Sequence, residues 1–355
     1  MMQIGSFLGR RIGAALFTVL ALITVTFVVY WALPSNPTRF VYPSSQQLST
    51  YQIAHAKHLL GLDRPKAEQY LDYLWQLAQG NVGDYWAGSQ LVSNDHLVQQ
   101  PIGPPLFTAF RATMSIILGG ALLVVLLAIP LGTFAGTRVG SKVDHVVSST
   151  TLVGVCTHPM VLGLLLATFF GSAHLHWLPD SGYCPLLQGA DDQCGGPRDW
   201  ASHLVLPWLT FALLFLALYT RMIRASVAET MHEDYVRTAR SKGATERRVV
   251  TRHVLPSASL RVLTMVGMEI GTAIGVCIYI EAAFGITGLG TLAVRAMGGA
   301  VTDIDLPYTL AIVTLIALVV VVGNLIVDLL YAVLDPRATA PGAVRPSKGT
   351  LGGVL

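Results

Sequence analysis

The sequence predicts an all-α polytopic membrane protein with six transmembrane helices. Hydrophobic residues make up 53% of the 355 residues and charged residues only 12%, about half the usual charged share of a soluble protein. The mean hydropathy is +0.58. The charged residues are concentrated between long apolar runs, which is the arrangement that a bilayer selects.

Six apolar runs are long enough to cross a bilayer, which takes about 20 helical residues. They cover roughly residues 12–33, 106–137, 146–170, 204–221, 262–283 and 306–333. Pro130 is expected to kink the second run, and Cys156 to Pro159 interrupt the third. A secretory signal is the alternative for the first run. It would have a shorter apolar core and a small-residue cleavage site, so an uncleaved helix is expected.

The runs divide the chain into four predicted parts. Residues 1–34 form the N-terminus and first helix, and 35–104 an extracytoplasmic helical insert. Residues 105–335 form a five-helix core that includes the loop 229–257, and 336–355 a flexible cytoplasmic tail. Helices are expected in the insert at 45–60 and 66–78, ended by Gly61 and Gly80. The helical spacing of Leu71, Leu74, Trp75 and Ala78 predicts a buried face.

Positive charge sets the predicted orientation. With both termini in the cytoplasm, 16 of the 23 Lys and Arg residues lie inside and 7 outside. This asymmetry satisfies the positive-inside rule, and a shift by one span would invert it.

The most charged stretch is Glu233 to Pro256, EDYVRTARSKGATERRVVTRHVLP, here called the charged segment. Its six basic and three acidic residues cannot lie in hydrocarbon. Two short helices are expected, the first capped by Asp234 and ended by Gly243 in the C′ position, the second capped by Thr245 and stopping near Pro256.

One face of the first helix is expected to carry almost no side chain, because Ala239 and Gly243 are four residues apart. A bare face allows close approach of a partner backbone, and arginines such as Arg237 and Arg240 offer forked donors to carboxylates. The alternative is a solvated basic loop that binds anionic lipid headgroups.

The charged segment resembles the EAA loop of bacterial ABC-importer permeases. Ala239, Gly243, Leu255 and Pro256 fall on that motif, whereas Arg237, Thr238 and His253 depart from its general form. The start DYVRTARSKG is typical of the dipeptide/oligopeptide subfamily. The resemblance implies that this loop docks into an ATPase subunit. The implied coupling residues are Asp234, Tyr235, Arg237, Ala239, Arg240, Gly243, Leu255 and Pro256.

Three other stretches resemble the dipeptide/oligopeptide/nickel permease family: HLLGLDRPKAEQYLDYLWQL in the insert, EAAFGITGLG after the fifth run, and the ending Y-x-x-L-D-P-R. The resemblance implies a type I ABC-importer permease in a bacterial cytoplasmic membrane. Its implied partners are a second homologous permease, two ABC ATPase subunits and an extracytoplasmic substrate-binding protein. Di- and oligopeptides are the expected substrates. Nickel, glutathione or another small solute is the alternative.

The candidate translocation-pathway residues are His158, Pro159, Glu269 and Glu281. An ionisable group inside a membrane helix faces the bundle interior or water. His158 is alternatively a satisfied core histidine. Glu269 is alternatively paired with an arginine or hydroxyl of a neighbouring helix, and Glu281 is expected to be structural, within an outer turn.

Nine residues separate Cys184 and Cys194 in a loop expected to face an oxidising compartment, so a disulfide is possible there. His55 and His58 lack a further ligand. His174 and His176 lie near the two cysteines, so a metal site there is the alternative, but no metal site is expected. The chain lacks G-x-x-x-x-G-K-[ST], G-x-S-x-G and H-E-x-x-H. No enzymatic activity and no cofactor are therefore expected in this chain, and ATP and Mg would be bound by partner ATPase subunits. A self-standing channel is the remoter alternative, and a membrane enzyme the remotest.

Overall fold

A computed structural model describes residues 2–32, 49–93, 96–142, 144–147, 149, 157–171, 175–186, 194, 196–297 and 305–334. The helices are α1 (Met2–Ala32), α2 (Thr50–Leu59), α3 (Lys66–Ala78), α4 (Gly103–Gly136), α5 (Pro159–Phe170), α6 (Pro197–Thr230), α7 (Asp234–Ser241), α8 (Glu246–Val249), α9 (Leu255–Ala283), α10 (Leu289–Ala296) and α11 (Leu306–Leu334). A π-helical turn, Val250–Val254, joins α8 to α9. The strands are β1 (Asp84–Ser93) and β2 (His96–Pro101).

Within the described residues, five helices are long and apolar enough to cross a membrane: α1, α4, α6, α9 and α11. They confirm five of the six predicted spans. The predicted span 146–170 lies partly outside the described residues, and its described second half is the shorter apolar helix α5. Pro159 is the first residue of α5, a position that tolerates proline because its missing N–H has no partner within the helix.

The core of the bundle is the contact between α4 and α6, which run in the same direction. Glycines of α4 make this contact close. A Cβ added at Gly132 would lie 2.9 Å from the backbone oxygen of Thr220, and one at Gly136 would lie 2.7 Å from that of Arg224. Small residues let two helix backbones touch in this way. Helix α9 packs on α6 and on α11.

The bundle has a charged end and an opposite end. The charged end holds the last residues of α4 and α6 and the start of α9, with the charged segment beyond them. The opposite end holds the start of α4, the end of α9 and α10. Helix α6 continues to Thr230, nine residues past the predicted end of its span. The charged segment is therefore carried on a helical extension of the bundle.

The insert corrects two expectations. It is not wholly helical, because β1 and β2 form an antiparallel hairpin in a region that carries no clear alternation of apolar residues. The predicted buried face of α3 is also wrong, since Leu71 and Trp75 are 61% and 68% exposed. The helix instead turns Tyr70 and Tyr73 inward, where their hydroxyls find partners.

Hydroxyl pairs attach the insert to the bundle. The Tyr70 hydroxyl lies 2.6 Å from Thr24 Oγ1 on α1, and the Tyr73 hydroxyl lies 3.0 Å from Thr314 Oγ1 on α11. A tyrosine buries its ring while its hydroxyl is satisfied, which explains why these residues, rather than Leu71 and Trp75, form the inner face.

Candidate functional site

The charged segment folds as two short helices, as predicted. Helix α7 ends in a Schellman motif. The Gly243 N–H donates to the Arg240 oxygen at 2.9 Å, and the Ala244 N–H donates to the Ala239 oxygen at 3.2 Å. Gly243 has φ +80°, a conformation that glycine adopts without strain. The predicted cap is displaced by one residue. Glu233 occupies the N-cap position and Asp234 is the first helical residue.

The second half of the charged segment differs from the expectation. Thr245 is the N-cap of α8 as predicted, but the helix does not stop at Pro256. It widens into the π-helical turn Val250–Val254 and continues as α9. A proline cannot donate to a carbonyl one turn back. Pro256 follows a π-helical turn, in which the backbone hydrogen bonds already depart from the α-helical pattern, so its missing N–H interrupts no regular series of bonds.

Buried valines fix both short helices on the bundle. Val236 of α7, Val249 of α8 and Val254 of the π-helical turn are each 0% exposed and belong to the main hydrophobic core. Because the apolar backs of these helices are packed, their polar faces are held in place relative to α6 and α9.

A groove of about 410 Å³ runs along the outer side of the charged segment. Eight residues line it: Tyr235, Thr238, Ala239, Lys242, Gly243, Ala244, Arg248 and His253. A Cβ added at Gly243 would meet no atom within 4 Å. The structure thus brings Ala239 and Gly243 to one surface, although Gly243 lies beyond the end of α7 and not on its face.

Arg240 points to an internal partner. Its Nε donates to Glu246 Oε1 at 2.7 Å and its Nη2 donates to Glu246 Oε2 at 3.3 Å, which ties α7 to α8. This forked pair engages Nε and Nη2 of Arg240, a residue expected from the sequence to bind carboxylates of a partner protein. Asp234, Arg237 and Pro256 are exposed, and Leu255 is half-buried.

The pathway candidates lie elsewhere in the bundle. His158 is the N-cap of α5, where its Nδ1 accepts from the Met160 N–H at 3.3 Å, and its ring meets Tyr279 edge-on at 4.8 Å. Glu269 is half-buried on α9. These residues do not come together with the charged segment, so the structure separates two candidate sites.

Glu281 is 0% exposed at the opposite end of the bundle. Thr113 Oγ1 donates to its Oε1 at 2.6 Å, and the Thr291 N–H and hydroxyl donate to its Oε2 at 2.9 and 3.1 Å. Thr113 in turn accepts from the Leu289 N–H at 2.9 Å. The carboxylate therefore joins α4, α9 and α10. The role of Thr113 was not predicted, because a threonine in an apolar helix usually donates its hydroxyl to its own backbone.

An ion pair at the charged end was also not predicted from the sequence. Asp144 lies in the helical stretch 144–147, beyond the turn 137–140 that ends α4. It is 3% exposed and takes a forked contact from Arg224 of α6, with Nη2 2.6 Å from Oδ2. The Gly140 N–H donates to the same oxygen at 2.9 Å. The pKa of Asp144 is held well below its usual range, mainly by the hydrogen bonds from the Arg224 guanidinium and to a lesser extent by the Gly140 N–H.

A pH dependence follows from Asp144. A depressed folded-state pKa stabilises the fold at every pH above the unfolded value of about 4, and this stabilisation is lost as the pH falls below it. We expect the stability difference between the wild type and Asp144→Asn to be constant from about pH 5 to 8 and to shrink below about pH 4. Thermal unfolding of the purified protein over a pH series checks this. A transition near pH 6.5 would instead indicate a histidine.

Cys184 and Cys194 are joined by a disulfide with Cα atoms 5.6 Å apart. We expect only two of the four cysteines of the denatured, unreduced chain to react with N-ethylmaleimide, and all four after reduction, as counted by intact mass. Reduction should lower the free energy of unfolding by about 2–3 kcal/mol. Four labels before reduction would contradict the pairing.

Known proteins are similar in sequence to this chain along almost its whole length. The DppB di/tripeptide transport system permease protein of Pseudomonas aeruginosa is 32% identical over 94% of this chain and 98% of its own. The AppB oligopeptide transport system permease protein of Bacillus subtilis is 31% identical over 92% and 97%. Among solved structures, a chain of the inward-facing MetNI methionine ABC transporter aligns over 66% of this chain and 99% of its own, with 15% identity and a TM-score of 0.48.

Two family models match consecutive parts of the sequence. The N-terminal membrane-component model of binding-protein-dependent transport systems covers residues 3–89. The model for the inner membrane component of these systems covers residues 128–340, a range that includes the charged segment, Glu269 and Glu281. The chain therefore belongs to the family of inner membrane components of binding-protein-dependent transport systems.

Proposed function

We propose that this chain is the pore-forming permease subunit of an ATP-driven ABC importer for di- and oligopeptides. The observation that carries the coupling role is the groove at Gly243, an open concave surface on two short helices whose backs are packed into the bundle. Such a surface transmits a push to the bundle because it cannot yield locally. The names of the relatives, which specify di-, tri- and oligopeptide transport, support the substrate class.

The proposed assembly contains this chain, a second homologous permease, two ABC ATPase subunits and an extracytoplasmic binding protein. The ATPase subunits bind ATP and Mg and carry out hydrolysis. The coupling surface consists of Asp234, Tyr235, Arg237, Ala239, Gly243, Leu255 and Pro256, with Arg240 bracing it from within. Both termini lie in the cytoplasm, as the distribution of positive charge favours.

His158, Pro159 and Glu269 are proposed to lie along the translocation pathway. His158 is exposed beside Tyr279, and Glu269 is half-buried within a span, where a carboxylate needs water or a polar partner. Glu281 belongs to a different class. Its oxygens are occupied by hydroxyl and backbone donors, so we propose a structural role at the outer mouth.

The test is purification of the tagged chain from its native membrane in mild detergent, with mass spectrometry of the proteins that accompany it. A second permease and ATP-binding subunits with Walker motifs are expected. A co-purified binding protein would then be loaded with a defined peptide library, with nickel and glutathione as competing ligands. Recovery of the chain alone, with conduction in liposomes, would favour a self-standing channel.

A further inference from the structure

Helix α4 connects the two polar clusters described above. Thr113 near its start belongs to the Glu281 network at the opposite end of the bundle. The turn that follows Gly136 donates the Gly140 N–H to Asp144, which is paired with Arg224 at the charged end. Thr113 and Gly136 are 23 residues apart, which corresponds to about 35 Å of helix. A single helix therefore spans the distance between the two clusters.

The contact at the charged end is both close and charged. A Cβ at Gly132 or Gly136 would lie less than 3 Å from a backbone oxygen of α6, at 2.9 and 2.7 Å, so no layer of side chains separates the two backbones there. The forked Asp144–Arg224 pair closes the same contact from the side, and Asp144 Oδ2 also holds the Gly140 N–H. A buried forked pair fixes direction as well as distance.

Helix α6 leads directly from this contact to the charged segment. Arg224 lies six residues, or about 9 Å, before the last residue of α6, and Val236 of α7 follows six residues after that end. The Ser226 hydroxyl also donates to the Ala258 oxygen of α9 at 3.4 Å. The end of α6 is thus tied to α4 on one side and to α9 on another.

We propose that Asp144 and Arg224 form a positioning pair that holds the end of α4 against α6. When the charged segment is displaced, α4 then moves with α6 as a rigid helix, and the displacement reaches the Glu281 network at the opposite end. The inference rests on the proposed function, because it concerns how the importer transmits the displacement. Without the pair, the end of α6 moves against α4, and ATP hydrolysis proceeds without opening the opposite end.

The test uses the complete transporter in proteoliposomes, with uptake of ¹⁴C-labelled Ala-Ala and phosphate release measured on one preparation. Asp144→Asn and Arg224→Gln should each lower uptake about tenfold, with a much smaller decrease in phosphate release. The ATP consumed per peptide therefore rises. The double variant should be no worse than either single variant, because both remove one shared interaction. Asp144→Glu, which keeps the charge, should restore part of the coupling.

Asp328→Asn is the matched control. Asp328 of α11 pairs with Arg11 of α1 at 2.9 Å, an ion pair between two helices that does not involve α4. This variant should leave the ATP consumed per peptide unchanged. If uptake and phosphate release of Asp144→Asn instead fall in proportion, the pair only supports the fold and the inference is overturned.

A second measurement does not depend on the peptide chosen. Hydrogen exchange of residues 285–291, the turn that contacts Glu281 and Thr113, should change in the wild type when vanadate traps the ATPase subunits. Asp144→Asn should lose this change, and an unaltered response in that variant would contradict the inference. A wild-type assembly that neither hydrolyses ATP nor binds ATPase subunits would refute the proposed function itself, which is a separate outcome.

Discussion

Gly243→Trp should abolish coupling while the bundle stays folded. The Gly243 Cα faces open space, so an indole there would fill the groove that a partner must enter without displacing any residue of this chain. We expect uptake to fall at least about tenfold. Membrane levels and the melting temperature should match those of Gly243→Ala, which carries the same backbone strain. Uptake by the reconstituted transporter, normalised to the amount of assembled complex, measures the effect.

Gly243→Ala is the matched control for backbone strain. Both substitutions place a Cβ at φ +80°, which costs about 1–2 kcal/mol, but only tryptophan fills the groove. Alanine should therefore retain most of the uptake. Equal uptake by the two variants would mean that the groove is not the docking surface, and the assignment of the charged segment would fail with it.

Thr113→Val should destabilise the folded chain strongly, and far more than Thr108→Val on the same helix. Thr113 is 0% exposed, and the substitution keeps its shape but removes both of its hydrogen bonds. Glu281 Oε1 loses a donor and the Leu289 N–H loses its acceptor. Because each unsatisfied buried group costs about 1–3 kcal/mol, we expect a loss of roughly 2–4 kcal/mol in the free energy of unfolding.

Thr108→Val provides the comparison on the same helix. Thr108 is exposed and its hydroxyl donates to the Pro104 oxygen of its own helix at 3.1 Å, so the change should stay within about 0.5 kcal/mol. Thermal unfolding of both purified variants in one detergent measures the difference. Gly288→Ala should resemble Thr113→Val, because its Cβ would overlap Glu281 Oε1 and lie 2.6 Å from Thr113 Oγ1. Equal stability of the two threonine variants would contradict a stabilising role for the hydrogen bonds of Thr113 with Glu281 and Leu289.

Local patterns in the sequence were sufficient to predict the two short helices of the charged segment and the break between them. Its charge excluded it from hydrocarbon, and Gly243 marked the end of α7, because few other residues adopt a positive φ. Pro256 misled for a related reason. The sequence shows that a proline cannot donate, but it does not show that the preceding turn has widened to accommodate the missing bond.

The insert shows where periodicity fails. The spacing of Leu71 and Trp75 is helical, and α3 is a helix, yet these side chains point outward. Hydrophobic spacing identifies an apolar face but does not identify the surface that covers it. Tyr70 and Tyr73 face inward because their hydroxyls form hydrogen bonds with Thr24 and Thr314 on helices distant in sequence.

The sequence by itself determined the membrane class, the positions of five spans, the break in the charged segment and the family, because hydropathy, charge and glycine act over a few neighbouring residues. Only the tertiary structure decided which polar groups meet. Thr113 and Glu281 are 168 residues apart, and Asp144 and Arg224 are 80 apart. Pairs at such separations leave no local pattern, since their partners are chosen by the packing of α4 against α6, α9 and α10.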